Sequence, residues 1–240
     1  MKKLIALILA LIMLCGCSAE PQEVERELGG EVTRGTFEGG FYYDFMDDKV
    51  IGFEGEHPIG STDVKKAIYR NRAFGITVDL GEDARFHDDE STESYWNTFS
   101  DGKFDPSGAE FYDLCSSGGE GFGSIDIRYE NMPKFRGKVL SEKEYAEAAL
   151  DEFEKYLEEE ELLHYDRIIH YVVQEKEIDT VKIDGEVLYC LKYKVSLTEL
   201  EGNYYIGIVL RRTGDWMTNI FVNYYYNPGM EYAAKCITFD

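Results

Sequence analysis

Residues 187–197 alternate apolar and polar side chains and come directly after an Asp-Gly pair. Asp184 and Gly185 predict a tight hairpin turn, because both residue types tolerate positive φ angles. A strand of period two buries one side and leaves the other at least partly solvated. The odd-numbered positions form the apolar side, whereas Lys192 and Lys194 lie on the polar side. This segment therefore predicts an antiparallel sheet that is covered on one face.

Strand-like runs flank this segment and extend the predicted sheet into a meander. Residues 168–174 and 178–183 precede it, and residues 204–211 and 216–224 follow it. Residues 212–215 contain Gly and Asp, so they predict a further hairpin turn.

Two more hairpins are predicted nearer the N-terminus. The first joins residues 67–69 to residues 74–80, and the second joins residues 110–115 to residues 124–129. Residues 81–108, between the two hairpins, are polar and rich in turn-forming types. We expect them to form a long surface loop.

One long helix is predicted over residues 142–162. Ser141 and Glu144 form a capping box, in which hydroxyl and carboxylate each satisfy a backbone N–H at the helix start. Tyr145, Ala149 and Phe153 then form one apolar stripe. A shorter closing helix is expected over residues 227–237. The predicted fold class is therefore α+β, an antiparallel β-sheet meander packed by one long and one short helix.

The N-terminus has the features of a bacterial signal peptide. Lys2 and Lys3 precede an apolar stretch over residues 4–14, which is shorter than the roughly 20 residues that a membrane-spanning helix needs. Residues 14–17, LCGC, resemble the lipobox, whose cysteine receives diacylglycerol. We therefore expect residues 1–16 to be removed and Cys17 to be lipidated, at the outer face of a Gram-positive type of cytoplasmic membrane. The alternative is an ordinary secretory signal cleaved nearby.

Three further segments complete the predicted domain organisation. Residues 17–36 are acidic and contain Pro and a Gly pair, which predicts a lipidated flexible tether. Such a tether would hold the domain on the order of 25 Å from its anchor. Residues 37–66 are predicted as an N-terminal elaboration, and residues 67–240 as the α+β domain.

Charge and cysteine content restrict the partners and the cross-links. The chain has 25 basic and 47 acidic residues and a formal net charge of −22 at pH 7, which excludes nucleic-acid binding. Beyond Cys17 lie Cys115, Cys190 and Cys236, an odd number in apolar segments. We expect buried free thiols, with a bridge between Cys190 and Cys236 as the alternative.

The order of these elements resembles a known group of proteins. The residues that carry the resemblance lie in the predicted hairpins and at the helix start: Tyr69, Asn71, Phe74, Gly75, Ile76, Ser124, Ile125, Ile127, Tyr129, Glu144, Tyr145, Val181, Ile183, Gly185, Tyr189, Arg212, Gly214 and Asp215. Over residues 67–240 the chain is similar to uncharacterised lipoproteins of Gram-positive gut anaerobes with a PsbP-like C-terminal domain. The resemblance implies a binding or accessory module and supplies no catalytic residues.

The motifs of common enzymes and metal sites are missing from the sequence. No Gly-x-Ser-x-Gly occurs, and the Gly-rich run at residues 118–123 precedes a predicted strand rather than a phosphate-binding helix. The acidic residues at 87–90, 101 and 105 do not have the spacing of an EF-hand. We therefore predict no catalytic residue, no metal ligand and no cofactor.

Aromatic residues are the remaining functional signal. We select Trp96, Lys192, Tyr205, Trp216 and Tyr225 as candidate binding residues, because exposed rings stack on sugars or anchor partner proteins. Core packing is the competing explanation, since strands favour Tyr and alternation turns half of each pair inward.

These features favour a non-enzymatic, membrane-anchored module that binds a partner protein or an envelope glycan. The alternative function is an envelope hydrolase that uses paired carboxylates, whose separation depends on the fold. A closed acidic cleft would favour the hydrolase, and a sheet face with exposed rings would favour the binding module.

Overall fold

The computed structural model describes residues 21–27, 34–35, 42–44, 49–51, 57–58, 60–63, 66–81, 85–86, 110–118, 122–159, 161–164, 167–198, 202–225 and 229–240. The predicted signal peptide, Cys17, Trp96 and most of the segments 37–66 and 81–108 lie outside the described residues.

The described elements are named in chain order. The helices are α1 (Met132–Arg136), α2 (Glu142–Glu159) and α3 (Gly229–Lys235). The strands are β1 (Arg34–Gly35), β2 (Tyr42–Asp44), β3 (Lys49–Ile51), β4 (His57–Pro58), β5 (Ser61–Asp63), β6 (Ile68–Asn71), β7 (Ile76–Asp79), β8 (Arg85–Phe86), β9 (Glu110–Leu114), β10 (Ser116–Ser117), β11 (Ser124–Asn131), β12 (Glu161–His164), β13 (Arg167–Ile183), β14 (Glu186–Leu197), β15 (Asn203–Thr213), β16 (Trp216–Tyr224) and β17 (Ile237–Phe239).

Two antiparallel sheets dominate the described part of the chain. The larger has seven strands in the order β12-β13-β14-β15-β16-β11-β9, and the smaller has four in the order β17-β7-β6-β5. Three short pairs, β1 with β4, β2 with β3, and β8 with β10, complete the pairing. The predicted α+β class with an antiparallel meander is confirmed.

The meander follows the predicted turns with one difference. Asp184 and Gly185 have φ angles of 45° and 88°, as the hairpin between β13 and β14 requires. The two strands expected over residues 168–183 are instead one strand, β13. Its register against β14 shifts between Val173 and Glu175, so an irregularity in pairing takes the place of a break.

The long helix begins where expected, at Glu142, and both predicted helices end earlier than expected. The capping box at α2 is confirmed, because the Ser141 N–H donates to Glu144 and the Glu144 N–H donates to Ser141 Oγ. The helix ends at Glu159 rather than at residue 162, because the chain turns back as edge strand β12 and pairs with β13. The closing helix likewise ends at Lys235, and the following residues form β17, which pairs with β7.

Two apolar layers form on opposite faces of the larger sheet. On one face, Tyr145, Ala149 and Phe153 of α2 share a cluster with Leu191 and Tyr193 of β14. The predicted inward face of β14 is thus confirmed.

On the other face, Leu188 and Cys190 pack in a second cluster with residues of β7 and α3. The first part of β14 is therefore buried on both sides. Lys192 and Lys194 lie further along β14 on this second face, outside the apolar cluster, and both are half-buried.

The N-terminal segment (residues 21–27) lies against the domain, although the sequence predicts it as part of a flexible tether. Pro21 is buried. Arg26 forms ion pairs with Glu142 at 2.9 Å and Glu186 at 2.6 Å, and its carbonyl accepts from the Gly214 N–H. Glu23 accepts the N–H of Glu142 at the start of α2. The two ion pairs of Arg26 and the bond of Glu23 to the start of α2 offset the conformational entropy that the segment loses when it becomes ordered.

Candidate functional site

A groove crosses the second face of the larger sheet, between β13 on one side and α3 with β17 on the other. Its volume is about 900 Å³. The chemistry of its lining is mixed, with three lysines, two carboxylates, one tyrosine ring and two threonines: Lys182, Lys192, Lys235, Asp184, Glu231, Tyr224, Thr180 and Thr238. We call this feature the sheet groove. An adjoining depression of about 370 Å³ shares Lys192 and Tyr224 and extends the groove towards Lys194 and Tyr205.

Lys192 stands at the junction of the two depressions. Its ammonium group donates to Asp179 of β13, and the side chain is 30 % exposed. Partial burial disfavours the charged form of Lys192, but the bond to Asp179 outweighs it and raises the pKa. The same bond lowers the pKa of Asp179. Lys192 therefore remains a fixed cation within the sheet groove.

Two tyrosine rings stand beside that cation. Tyr205 and Tyr224 are directly opposed on β15 and β16, with ring centroids 5.3 Å apart and planes at 12°. Tyr224 is buried and Tyr205 is half-buried, so one edge of the stack reaches the surface. Burial raises the pKa of Tyr224 to about 12, so its hydroxyl keeps its proton at neutral pH.

Gly207 explains why α3 lies so close to the sheet. It faces Lys192 across the β14–β15 pair, and a Cβ atom there would lie 1.9 Å from Met230 Cε. The missing side chain lets Met230 of α3 seat on the strand. α3 thereby forms one wall of the sheet groove.

The structure separates the five candidate binding residues. It brings Lys192 and Tyr205 together in the adjoining depression. Trp216 is only 7 % exposed and packs edge-on against Phe74 at 5.9 Å, so it is a core residue and offers no free ring. Tyr225 is 69 % exposed, but its ring lies near Tyr204, whose apolar contacts are on the α2 side of the sheet. Trp96 lies outside the described residues.

A buried carboxyl lies between the two sheets, away from the sheet groove. Asp113 Oδ2 accepts hydrogen bonds from the Gly60 N–H at 2.7 Å, the Tyr69 hydroxyl at 2.6 Å and the Asn71 amide at 2.9 Å. Burial raises the pKa of Asp113 to about 6, and these three bonds oppose the rise. The group joins β9 to the smaller sheet, which is a structural role.

A second set of buried charges lies under α2. Glu130 is fully buried and accepts from Arg136 Nε at 2.6 Å and from the Tyr145 hydroxyl at 2.9 Å. The Arg136 guanidinium also lies 4.4 Å from the Tyr145 ring centroid. These bonds connect α1 and α2 to β11. The Glu130 carboxylate therefore has a structural role.

The described residues contain neither a cluster of metal ligands nor a helix that could span a membrane. Within the described ranges, no group of three or more His, Cys, Asp or Glu residues could hold a metal ion. None of the helices that the structure describes is long and apolar enough to cross a membrane. Cys115, Cys190 and Cys236, the cysteines that the structure describes, form no disulfide bond with one another.

The chain was also compared with known proteins. No protein-family model matches it, and no curated protein matches its sequence.

Sequence reasoning missed the residues that form the walls of the sheet groove. Lys182, Met230, Lys235 and Thr238 lie on elements far apart in the chain, and no local pattern connects them. Lys192 was accessible to prediction because its strand alternates clearly, and Tyr205 because it belongs to a pair of adjacent tyrosines.

Proposed function

We propose that this protein is an extracytoplasmic lipoprotein that is anchored through Cys17 and binds an envelope glycan in the sheet groove without chemical conversion. The observation that carries the binding proposal is the juxtaposition of Lys192 with the stacked Tyr205 and Tyr224 beside a groove of about 900 Å³. The antiparallel α+β architecture is compatible with the PsbP-like relationship, which we propose for residues 67–240.

The chemistry of the groove favours a polar, anionic ligand of extended shape. Three lysines, Lys182, Lys192 and Lys235, line it against two carboxylates, Asp184 and Glu231. The lining is thus slightly cationic in a chain whose formal net charge is −22. Hydroxyls of Thr180 and Thr238 add polar positions beside them. A glycan that bears carboxylate or phosphate groups matches lysines by charge and tyrosine rings by stacking.

The hydrolase alternative receives less support from the same geometry. The carboxylates that line the sheet groove, Asp184 and Glu231, are both exposed. Asp184 already accepts the Phe239 N–H at 2.9 Å. A general acid needs a carboxyl group at the reaction site that is shielded from water and has a raised pKa. Asp113 is shielded and has a raised pKa, but it lies between the sheets and not in the sheet groove.

Binding of soluble cell-wall glycan fragments to the purified protein tests the proposal. We expect Lys192→Ala and Tyr205→Ala each to weaken binding by about tenfold, the usual effect of losing a charged hydrogen bond or a ring contact. Lys155→Ala is the matched control, because Lys155 is 74 % exposed on α2, on the opposite side of the sheet.

The outcomes separate the candidate functions. Equal binding by wild type, Lys192→Ala and Tyr205→Ala would exclude the groove as the glycan site. Capture of an envelope protein in place of glycan, lost on Lys192→Ala, would favour a protein partner. Release of shortened glycan products by wild type would favour the hydrolase.

A further inference from the structure

We propose that the end of the domain formed by the N-terminal segment and the α1 segment (residues 132–140) rests on the lipid bilayer and contacts anionic headgroups. This inference rests on the proposed lipidation of Cys17, and it assigns an orientation to the anchored domain.

Only a short length of chain lies between the proposed anchor, Cys17, and the domain. Pro21 is buried, and residues 21–27 lie along the domain. Four Cα–Cα steps separate Cys17 from Pro21, so their Cα atoms lie at most roughly 14 Å apart. A lipid on Cys17 therefore places this end of the domain close to the membrane surface.

The N-terminal segment and the α1 segment meet at one turn. The Gly214 N–H donates to the Arg26 carbonyl at 2.7 Å, and the adjacent Asp215 carbonyl accepts the Met132 N–H at 2.9 Å. Glu23 accepts the N–H of Glu142, only a few residues beyond the α1 segment. The two segments are thus fixed side by side.

Exposed apolar side chains are concentrated in these two segments. Among the described residues, the large exposed apolar side chains are Val24, Phe135, Val139, Val172, Ile178 and Tyr225. Three of them lie in the two adjoining segments, with exposed fractions of 44 % for Val24, 48 % for Phe135 and 41 % for Val139. Apolar groups of this kind enter the boundary between headgroups and acyl chains.

The α1 segment is basic, although the chain as a whole is acidic. Residues 132–140 contain Lys134, Arg136 and Lys138 and no acidic residue, in a chain where acidic residues outnumber basic ones by 47 to 25. Lys134 and Lys138 are exposed beside Phe135 and Val139. Exposed carboxylates oppose the attraction on both sides of the α1 segment: Glu25 and Glu27 on the N-terminal segment, and Glu144, Glu147 and Glu152 of α2, which line a depression with Phe135 and Lys138. The α1 segment itself therefore provides the contact. Exposed lysines beside apolar side chains are complementary to an anionic bilayer.

Quenching of tryptophan emission by brominated lipid tests this orientation. The lipidated protein is purified from cells and reconstituted into phosphatidylcholine vesicles with or without phosphatidylglycerol. Phe135→Trp places the reporter in the contact, and Val172→Trp is the matched control with a similar exposed fraction of 38 %. Val172 lies roughly 36 Å of strand away from Ile183, the end of β13 nearest to the N-terminal segment. Unsubstituted protein gives the background from Trp96 and Trp216.

We expect brominated lipid to reduce the emission of Phe135→Trp, more strongly with phosphatidylglycerol, and to leave Val172→Trp at background. Replacement of both Lys134 and Lys138 by Ala should remove the dependence on phosphatidylglycerol. Thermal melts confirm that each variant is folded.

The remaining outcomes overturn the inference in distinguishable ways. Vesicle-bound protein with no quenching at position 135, or with equal quenching at positions 135 and 172, would refute the orientation and leave the anchor in place. Protein that does not float with vesicles would refute the anchor, and with it the orientation.

Discussion

One nitrogen of the Arg26 guanidinium lies 2.9 Å from the Glu142 carboxylate, and the other lies 2.6 Å from Glu186. The Glu142 side chain is only 2 % exposed. Burial raises its pKa, and the Arg212 N–H and the Arg26 cation oppose the rise. Arg26 is therefore the cation that stabilises a buried carboxylate at the start of α2.

Arg26→Ala should reduce the free energy of unfolding by about 2 to 4 kcal/mol, because it leaves the Glu142 carboxylate buried without a cation. Denaturant melts at neutral pH measure this. Lys155→Ala is the control, since its pair with Glu159 is exposed and should contribute less than about 1 kcal/mol. Similar melts for wild type and Arg26→Ala would mean that the N-terminal segment is not held on the domain.

The two faces of β14 differ in what they contribute to stability. Leu191 is fully buried beneath α2, so Leu191→Ala should reduce the free energy of unfolding by about 2 to 5 kcal/mol. Lys192 is partly exposed and paired with Asp179, so Lys192→Ala should cost no more than about 1 kcal/mol. Urea melts of the two variants check the prediction, and equal destabilisation would contradict it.

Asp113 should make the domain less stable as the pH rises from 4 to 6. Its pKa is raised by burial from 3.8 in an ordinary setting to about 6, so the folded state binds the proton more tightly than the unfolded chain does. This stabilisation is fully present when the pH is below the pKa that Asp113 has in the unfolded chain. It is lost as the pH rises through the pKa that Asp113 has in the folded state. It amounts to roughly 3 kcal/mol.

Asp113→Asn removes this titration and keeps an acceptor oxygen for Gly60, Tyr69 and Asn71. The difference between the unfolding free energies of wild type and Asp113→Asn should therefore change with pH over this range. Melts at several pH values measure the difference. A difference that stays constant from pH 4 to pH 6 would rule out the titration of Asp113.

Cys17→Ala should block lipid attachment and removal of residues 1–16, because the proposed lipobox makes this thiol the acceptor of diacylglycerol. Metabolic labelling with a fatty-acid analogue, followed by mass measurement, checks both effects. Label in Cys17→Ala, or none in wild type, would contradict the lipobox interpretation. Cys236→Ala is the control and should be labelled as wild type is.

Local features account for what the sequence predicts correctly. The capping box of Ser141 and Glu144 involves neighbours in the chain, and the alternation of β14 depends only on its own residues. Such patterns report which side of an element is apolar, whatever that side packs against.

The features that sequence reasoning missed depend on distant contacts. Trp216 resembles an exposed aromatic residue in the sequence, but Phe74, in the turn between β6 and β7, packs against it. The N-terminal segment resembles a solvated acidic linker, yet Arg26 finds Glu142 and Glu186 much later in the chain. The sheet groove exists because α3 returns over Gly207, which no local pattern indicates.

The pairing of β17 with β7 has a consequence for the order of events in folding. β7 is synthesised before every strand of the larger sheet, whereas β17 is synthesised after all of them. The Asp79 N–H donates to the Cys236 carbonyl, and the Asp240 N–H donates to the Gly75 carbonyl. Contacts between such distant positions form late, because a long intervening loop must close first.

An emerging chain therefore leaves the backbone edge of β7 unpaired until the residues of β17 leave the ribosome. The β6–β7 hairpin alone does not hold this sheet together, because a two-stranded hairpin is at best marginally stable in water. For the exported lipoprotein that we propose, this late pairing would postpone the compaction of the smaller sheet until the chain has crossed the membrane.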